Sequence, residues 1–379
     1  MSSIHYLFVF LLITFLTSAG YSQGKPQNDY TFEYKYLKFG ENNVGFSSVI
    51  QYDNTRPPIP EVEGPGRHLQ INIWYPIDKP GNEKLLLQDY ILLKNSEFET
   101  HSGKDSTNYL KYFEWPLYLG VEDKLILDYL KKSHTMNAFT DGVLATGNHP
   151  VVLLMHGSAA DYMFLAEYLA SYGYIAVNVP TYGYASQNLD INSIGVETQV
   201  RDYEFALSFL RKKFSRSFDT KGVVGFSFGG QSAVVFAMRT TDVNAVVSLD
   251  GGIGSRFGDR MVRESIHYTS EKINFALLHL YNQDEQQNYL AGIQSYIFSD
   301  RILTAINNVA HWHFTSFGLL NNYIPGLFRE IESNDAFEMI LLKTKWFLDG
   351  HLKSNLKSDT LKTWAEPYIE SEKIYKAIE

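Results

Sequence analysis

The chemistry-bearing pattern of this chain is Gly-Phe-Ser-Phe-Gly at residues 225–229, followed by Gly230. A serine between glycines in this spacing is typical of a nucleophile on a tight turn between a strand and a helix. Glycine suits the flanking positions because a Cβ atom would crowd such a turn. β-rich residues 221–224 precede the pattern and a helix-forming stretch follows it. We therefore predict that Ser227 is the nucleophile of an acyl transfer; the alternative is a glycine-rich turn with a passive serine.

A serine nucleophile needs a general base, and in the fold that carries its serine on such a turn the chain order is serine, then acid, then histidine. Five histidines follow Ser227, and two of them, His311 and His313, lie just after the last strand predicted for the sheet. They are two residues apart, so we expect only one of them to face the serine. His279 lies inside an apolar strand and His351 near the end of a helix, where packing and capping roles are expected.

The acid that orients the base has two candidates. Asp250 ends the apolar segment 244–250 and precedes two glycines, whereas Asp284 ends the segment 273–284. Both would lie at the carboxyl edge of a parallel sheet, and either one could instead only cap a helix. The residues by themselves leave the choice open.

An oxyanion formed during acyl transfer needs preorganised N–H donors. The residue after the nucleophile, Phe228, would supply one backbone N–H. The second is expected from the loop after the first core strand, at residues 156–159 (His-Gly-Ser-Ala), and we assign it to Ser158. His156 is expected to hold that loop rather than to react.

The elements that must position these residues alternate between strand and helix from Pro150 onward. Apolar strand segments and amphipathic helical stripes in this order predict a mostly parallel sheet with helices on both faces, an α/β fold. The predicted strands are 150–155, 173–180, 222–226, 244–250, 273–281 and 301–306. The predicted helices lie over 165–172, 200–210, 229–238 and 337–348.

The N-terminal half does not show this regular alternation of strands and helices. Segments 31–40, 43–53 and 67–76 alternate in hydrophobicity and are predicted as strands. Segment 81–148 is predicted to be a helical insertion or cap within a single domain spanning 23–379. Residues 6–16 form an apolar run that is too short to span a membrane and fits a signal peptide. Cleavage after Ala19 or Ser22 would give a secreted or periplasmic protein.

Composition narrows the function classes. The 379 residues are 45% hydrophobic and 20% charged, as in ordinary globular proteins. A net charge of −9 argues against nucleic-acid binding. The chain has no cysteine, which excludes disulfides, cysteine-ligated metals and a cysteine nucleophile. No metal or organic cofactor is needed for the proposed chemistry, no stable membrane span is expected, and the sequence does not indicate an oligomeric state.

Four segments together resemble the α/β-hydrolase superfamily: "VVLLMHGSAA", "GVVGFSFGG", "AVVSLDGG" and "HWHFTSF". The branch they resemble is that of the platelet-activating-factor acetylhydrolase and dienelactone-hydrolase-like serine esterases. In the acetylhydrolase branch the acid follows the nucleophile closely, which points to Asp250, and the base heads a His-x-x-Phe-x-x-Phe string, which points to His311 rather than His313. Two features depart from that branch: Phe226 stands where it often has histidine, and the oxyanion loop lacks a further glycine.

The resemblance implies hydrolysis of a small-molecule ester or a lipid, with short acyl or acetyl groups favoured. A peptidase or an acyltransferase could use the same triad, and a non-catalytic binding protein could share the scaffold. A metal-dependent hydrolase using His311 and His313 is a further alternative, although no matched third ligand is evident. The apolar stretch 314–328 is interpreted either as an acyl-binding wall or lid, or as core.

Overall fold

One mixed sheet organises the part of the chain that the structure describes. The structure is a computed structural model, and it describes residues 30–60, 62, 64–96, 128–129, 132, 134–240, 242–283, 289–324, 327, 334–353 and 368–378. Its strands are β1 (Asn43–Asp53), β2 (Arg67–Ile77), β3 (Lys84–Leu86), β4 (Thr135–Thr140), β5 (Val151–Met155), β6 (Ile175–Asn178), β7 (Lys221–Phe226), β8 (Val243–Leu249), β9 (Ala276–Asn282), β10 (Arg301–Ile306) and β11 (Ile369–Tyr375).

Helices connect these strands and cover the sheet. The α-helices are α1 (Leu87–Ser96), α2 (Ala159–Ser171), α3 (Ser193–Lys213), α4 (Gly229–Arg239), α5 (Arg256–Glu264), α6 (Leu290–Gln294), α7 (Phe317–Tyr323) and α8 (Ala336–Leu352). Short 3₁₀ turns lie at Gly252–Gly254, Ser270–Lys272 and His311–Phe314. The sheet and helices agree with the predicted α/β fold.

The strand order is β11-β10-β9-β8-β7-β5-β6-β2-β1-β4-β3. The central strands β6, β5, β7, β8, β9 and β10 run parallel to one another, while β2 and β11 pair antiparallel at their two sides. In a parallel sheet all carboxyl ends meet at one edge, where ligand sites of such folds form. The loops after β5, β7, β8 and β10 therefore converge there.

Both faces of the sheet are buried, which explains the continuous apolar runs of its central strands. In β5 the side chains of Val152 and Leu154 join one core, whereas Val151, Leu153 and Met155 join the other. Helices α1, α2, α7 and α8 supply buried residues to the first core, and α3, α4, α5 and α6 supply them to the second. The sheet is thus a rigid, two-sided support for the loops at its carboxyl edge.

The predictions for the N-terminal half are only partly correct. Segment 31–40 is not a strand, since only Thr31 forms an isolated bridge; the backbone N–H groups of Lys35, Tyr36 and Leu37 bind the buried Glu338 carboxylate of α8 instead. Within 81–148 the structure describes α1 but also two strands, β3 and β4. Strand β11 was not predicted, because its sequence, IESEKIY, is mostly polar and charged and has no clear alternation. The predicted signal segment 1–22 lies outside the described residues.

Candidate active site

The turn after β7 holds Ser227 at the carboxyl edge of the sheet. Its backbone has φ 51°, a left-handed conformation that non-glycine residues rarely adopt. The flanking glycines are required by close packing: a Cβ on Gly225 would lie 2.1 Å from the Gly229 carbonyl oxygen, and one on Gly229 would lie 2.2 Å from that of Met155. Ser227 thus lies on a tight, strained strand-to-helix turn, and its role as the nucleophile stays a prediction.

The loop after β8 is locked to this turn by backbone hydrogen bonds. The N–H of Ser227 donates to the carbonyl of Leu249 at 3.1 Å, and the carbonyl of Ser227 accepts from the N–H of Gly252 at 2.7 Å. Between these two contacts lies Asp250, whose backbone is also left-handed, with φ 44°. The loop therefore holds the Asp250 carboxylate in a fixed relation to Ser227.

The Asp250 carboxylate binds His311. Nδ1 of His311 lies 2.6 Å from Oδ2 of Asp250, and Oδ1 of Asp250 accepts the backbone N–H of Asn282 at 3.0 Å. The Asp250 side chain is 8% exposed and that of His311 is 31% exposed. An imidazole that donates its Nδ1 proton to a carboxylate keeps its lone pair on Nε2, the form required of a general base.

His311 also packs against the residue before the nucleophile. The rings of His311 and Phe226 have centroids 4.6 Å apart, so the base and the serine turn are in direct contact through Phe226. The Ser227 side chain is half-buried, and its hydroxyl has no hydrogen-bond partner among the described residues. Catalytic serine–histidine bonds are often long without substrate and tighten when it binds.

The structure describes the alternative base, His313, but not the alternative acid, Asp284. His313 is fully buried, and its Nδ1 accepts the backbone N–H of Ala310 at 2.9 Å. Burial lowers the pKa of His313 to about 4, so this imidazole stays neutral inside the turn. Its place is in the packing of the loop rather than beside Asp250. The alternative acid, Asp284, lies outside the described residues.

One predicted oxyanion donor is available and the other is already occupied. Phe228 directly follows the nucleophile at the start of α4, and its backbone N–H has no acceptor among the described residues. The N–H of Ser158, in contrast, donates to Oδ2 of Asp161 at 2.6 Å, and the Ser158 hydroxyl donates to the same oxygen at 2.8 Å. In this structure the Ser158 N–H is therefore held in the capping box of α2, and its prediction as an oxyanion donor requires that this hydrogen bond be released.

Sequence reasoning missed Asp161, although a signal for it was present. A serine followed three residues later by an acidic residue is the sequence pattern of a helix capping box. The backbone carbonyl of Asp161 also accepts two hydrogen bonds from Ser316, one from its N–H at 2.8 Å and one from its hydroxyl at 3.0 Å. Asp161 thus connects the oxyanion loop to the loop that carries His311.

His156 packs beside the serine turn, against the aromatic rings on both sides of Ser227. Its ring lies 6.2 Å from that of Phe226 and 5.9 Å from that of Phe228, centroid to centroid. Burial, and secondly the neighbouring His311, lower the pKa of His156 to about 4. A neutral ring here adds no charge next to the base, which agrees with a role in holding the loop.

The described apolar residues of the stretch 314–328 belong mostly to the core rather than to a surface lid. Phe314, Phe317, Leu319 and Leu320 are each at most 2% exposed and belong to the core beneath the sheet. Among the described residues, no group of three metal-ligating side chains is close enough to hold an ion. No helix in the described part of the chain is long and apolar enough to cross a membrane.

Comparison with known proteins supports the α/β fold. A family model described as Chlorophyllase matches residues 140–279, a range that includes Ser227 and Asp250 and ends before His311. A ferulic acid esterase from Streptomyces cinnamoneus shares the fold, with a TM-score of 0.62 and 18% identity, over 92% of this chain and 100% of its own. A search of curated proteins finds no match. The chain therefore has the α/β-hydrolase fold that its sequence predicts.

Proposed function

We propose that the protein hydrolyses carboxylic esters through a Ser227–His311–Asp250 triad. The observation that carries this proposal is the 2.6 Å contact between His311 and Asp250, on loops that enclose the strained Ser227 turn. Asp250 holds the imidazole in the tautomer with a free Nε2 and stabilises its cationic form. The three residue types stand in the chain order that this fold uses.

The reaction proceeds in two steps. His311 takes the proton of the Ser227 hydroxyl, whose oxygen attacks the ester carbonyl to give a tetrahedral oxyanion. His311 then gives that proton to the departing alkoxide, leaving an acyl-enzyme and an alcohol. In the second step His311 takes a proton from water, which attacks the acyl group. Collapse of the second oxyanion releases the acid and returns the proton to Ser227.

The Phe228 N–H supplies one oxyanion donor. The second comes from the loop 156–158, where Ser158 can contribute only if its hydrogen bond to Asp161 is given up. The N–H of Gly157 has no acceptor among the described residues, and the residue's φ of 87° sets the turn of that loop. We therefore assign the second donor to Gly157. Loss of one such donor costs roughly 3 kcal/mol in other serine hydrolases.

The substrate class proposed is a small ester with a short acyl group. The acetylhydrolase resemblance favours acetyl or other short chains, and phospholipid-type esters remain within the same chemistry. The structural neighbour is named a ferulic acid esterase, which adds aromatic acyl esters to the compounds worth testing. Export is proposed from the apolar run 6–16, and an N-terminus at Gly20 or Gln23 in the exported protein would support it.

The substrate test compares p-nitrophenyl esters of two to sixteen carbons with methyl ferulate. We expect the highest kcat/KM among the acyl chains of about two to four carbons, with Ser227→Ala and His311→Ala each lower by about 10³-fold or more. An optimum at long chains would replace the short-acyl proposal with a lipase. A folded wild-type protein inactive on every ester would contradict ester hydrolysis itself.

A further inference from the structure

The hydroxyl of Tyr162 lies between the two strands whose ends carry the reacting groups. It donates to the carbonyl of Met155 at 2.5 Å and accepts the backbone N–H of Phe226 at 3.2 Å. Met155 is the last residue of β5, directly before the oxyanion loop, and Phe226 is the last residue of β7, directly before the nucleophile. One side-chain oxygen therefore joins the two backbones at the point where they leave the sheet.

This contact joins β5 and β7 just beyond the last pair of residues that the two strands form in the sheet. That pair is Met155 with Gly225, one residue short of Phe226. Beyond it, the Phe226 N–H reaches the Met155 carbonyl only through the Tyr162 hydroxyl. The Tyr162 hydroxyl thus stands between the two backbone groups, directly before the Ser227 turn on β7 and directly before the loop at 156–158 on β5.

The surroundings of Tyr162 make this link stiff. The side chain is 1% exposed, and burial keeps its pKa well above the ordinary tyrosine value, so the hydroxyl remains a donor. Tyr162 lies in the first turn of α2, next to Asp161, which caps the oxyanion loop and accepts from Ser316 of the base loop. One helical turn therefore contacts three of the four loops of the site, those after β5, β7 and β10.

We infer that Tyr162 is a positioning residue for ester hydrolysis, which sets the separation of the nucleophile and the oxyanion donors through its hydroxyl. The inference rests on the proposed function, in which those groups must act on one carbonyl. Tyr162 does not touch substrate; it acts through the backbones of Met155 and Phe226. A displacement of about 1 Å between reacting groups can lower a rate by about 100-fold.

The chain offers a matched control in Tyr203. Its hydroxyl donates to the carbonyl of Leu154, one residue before Met155, and accepts the backbone N–H of Val179. Tyr203 is as deeply buried as Tyr162, but it joins β5 to the segment after β6 and makes no bond to β7. Replacing either tyrosine by phenylalanine removes one buried bridging hydroxyl and keeps the ring.

The test measures kcat and KM on a p-nitrophenyl ester, together with amide hydrogen exchange, for wild type, Tyr162→Phe and Tyr203→Phe. We expect Tyr162→Phe to lower kcat by about 10- to 100-fold with KM changed less than about threefold, and Tyr203→Phe to keep kcat within about threefold. Exchange at Phe226 should be slow in wild type and faster only in Tyr162→Phe. Equal losses of kcat in both variants, or an unchanged kcat in folded Tyr162→Phe, would overturn the inference.

The exchange measurement separates this inference from the proposed function. If the wild type hydrolyses no ester, the proposed function fails, whereas the Phe226 amide still reports whether the Tyr162 hydroxyl joins the strands. Fast exchange at Phe226 in wild-type protein would overturn the positioning role without any variant. This covers the case in which Tyr162→Phe does not fold.

Discussion

Nδ1 of His311 lies 2.6 Å from Oδ2 of Asp250, although the two residues are 61 positions apart in the chain. The contact joins the loop after β10 to the loop after β8. It lies beside the turn of Ser227, because the Asp250 loop is bonded to that turn and the His311 ring packs on Phe226. A half-buried imidazole oriented by a buried carboxylate is the arrangement that a serine nucleophile requires.

The first prediction concerns Asp250. Asp250→Asn should lower kcat for ester hydrolysis by about 10³- to 10⁴-fold with little change in KM, because the amide no longer holds the correct His311 tautomer. Steady-state kinetics on a p-nitrophenyl ester measures this. Asp300→Asn, at a surface pair with Lys376, is the control and should keep kcat within about twofold. If Asp250→Asn keeps more than a tenth of wild-type kcat and Asp284→Asn does not, the acid is Asp284.

The second prediction concerns Asp161. Asp161→Ala should lower the free energy of unfolding by about 1 kcal/mol through loss of the α2 cap, and should lower kcat by about 10-fold because the oxyanion loop is released. Asn192→Ala is the matched control, since Asn192 caps α3 through two backbone N–H groups away from the site. It should cost similar stability and leave kcat unchanged. A higher kcat in Asp161→Ala would mean instead that the carboxylate withholds the Ser158 N–H from the reaction.

The third prediction concerns a buried ion cluster below the loop after β6. Asp202 binds Arg67 and Arg56 at 2.7 Å each, with all three side chains at most 4% exposed. Asp202→Asn leaves buried guanidinium charge uncompensated, so unfolding in urea should show a loss of about 3–5 kcal/mol. Glu204→Gln, which breaks a partly exposed pair with Arg239, should cost less than about 1 kcal/mol. Equal effects of the two substitutions would contradict this account.

The fourth prediction concerns the pH dependence of stability. His279 is 1% exposed, and burial lowers its pKa to about 4, against the opposing effect of Asp250. Between pH 4 and about 6.5 the unfolded chain therefore binds a proton that the native protein does not, so this residue makes the protein less stable as the pH falls. The contribution is about 1.4 kcal/mol per pH unit.

Urea unfolding of wild type and His279→Gln at pH 7, 6, 5 and 4.5 measures that contribution. The variant should show a shallower fall of the unfolding free energy below pH 6.5, by about 1 kcal/mol per pH unit. Parallel curves for the two proteins would mean that His279 is protonated in the native state.

The central sheet and the turn of Ser227 were predictable because their signals are local. A five-residue glycine–serine pattern after an apolar strand identified the turn of Ser227, and strand–helix alternation identified the parallel core. The choice of Asp250 and His311 came from family resemblance, since spacing alone did not exclude Asp284 or His313. The structure pairs Asp250 with His311 and buries His313.

The predictions that failed involve partners distant in sequence. The sequence of segment 31–40 predicts a strand, but three of its backbone N–H groups donate hydrogen bonds to the carboxylate of Glu338, about 300 residues away. Strand β11 forms because β10 offers an open edge, not because its own sequence is strongly β-forming. Tyr162 gave no sequence signal at all, since a buried tyrosine on a helix is ordinarily core.

The central claim is that Ser227 is an activated nucleophile, and covalent labelling tests it most directly. Wild-type protein, Ser227→Ala and His311→Ala would be treated with a fluorophosphonate probe and the labelled peptide mapped by mass spectrometry. The account predicts one adduct, on Ser227, absent in Ser227→Ala and formed at least about 100-fold more slowly in His311→Ala. Labelling of Ser227→Ala at the wild-type rate, or no labelling of folded wild-type protein, would contradict it.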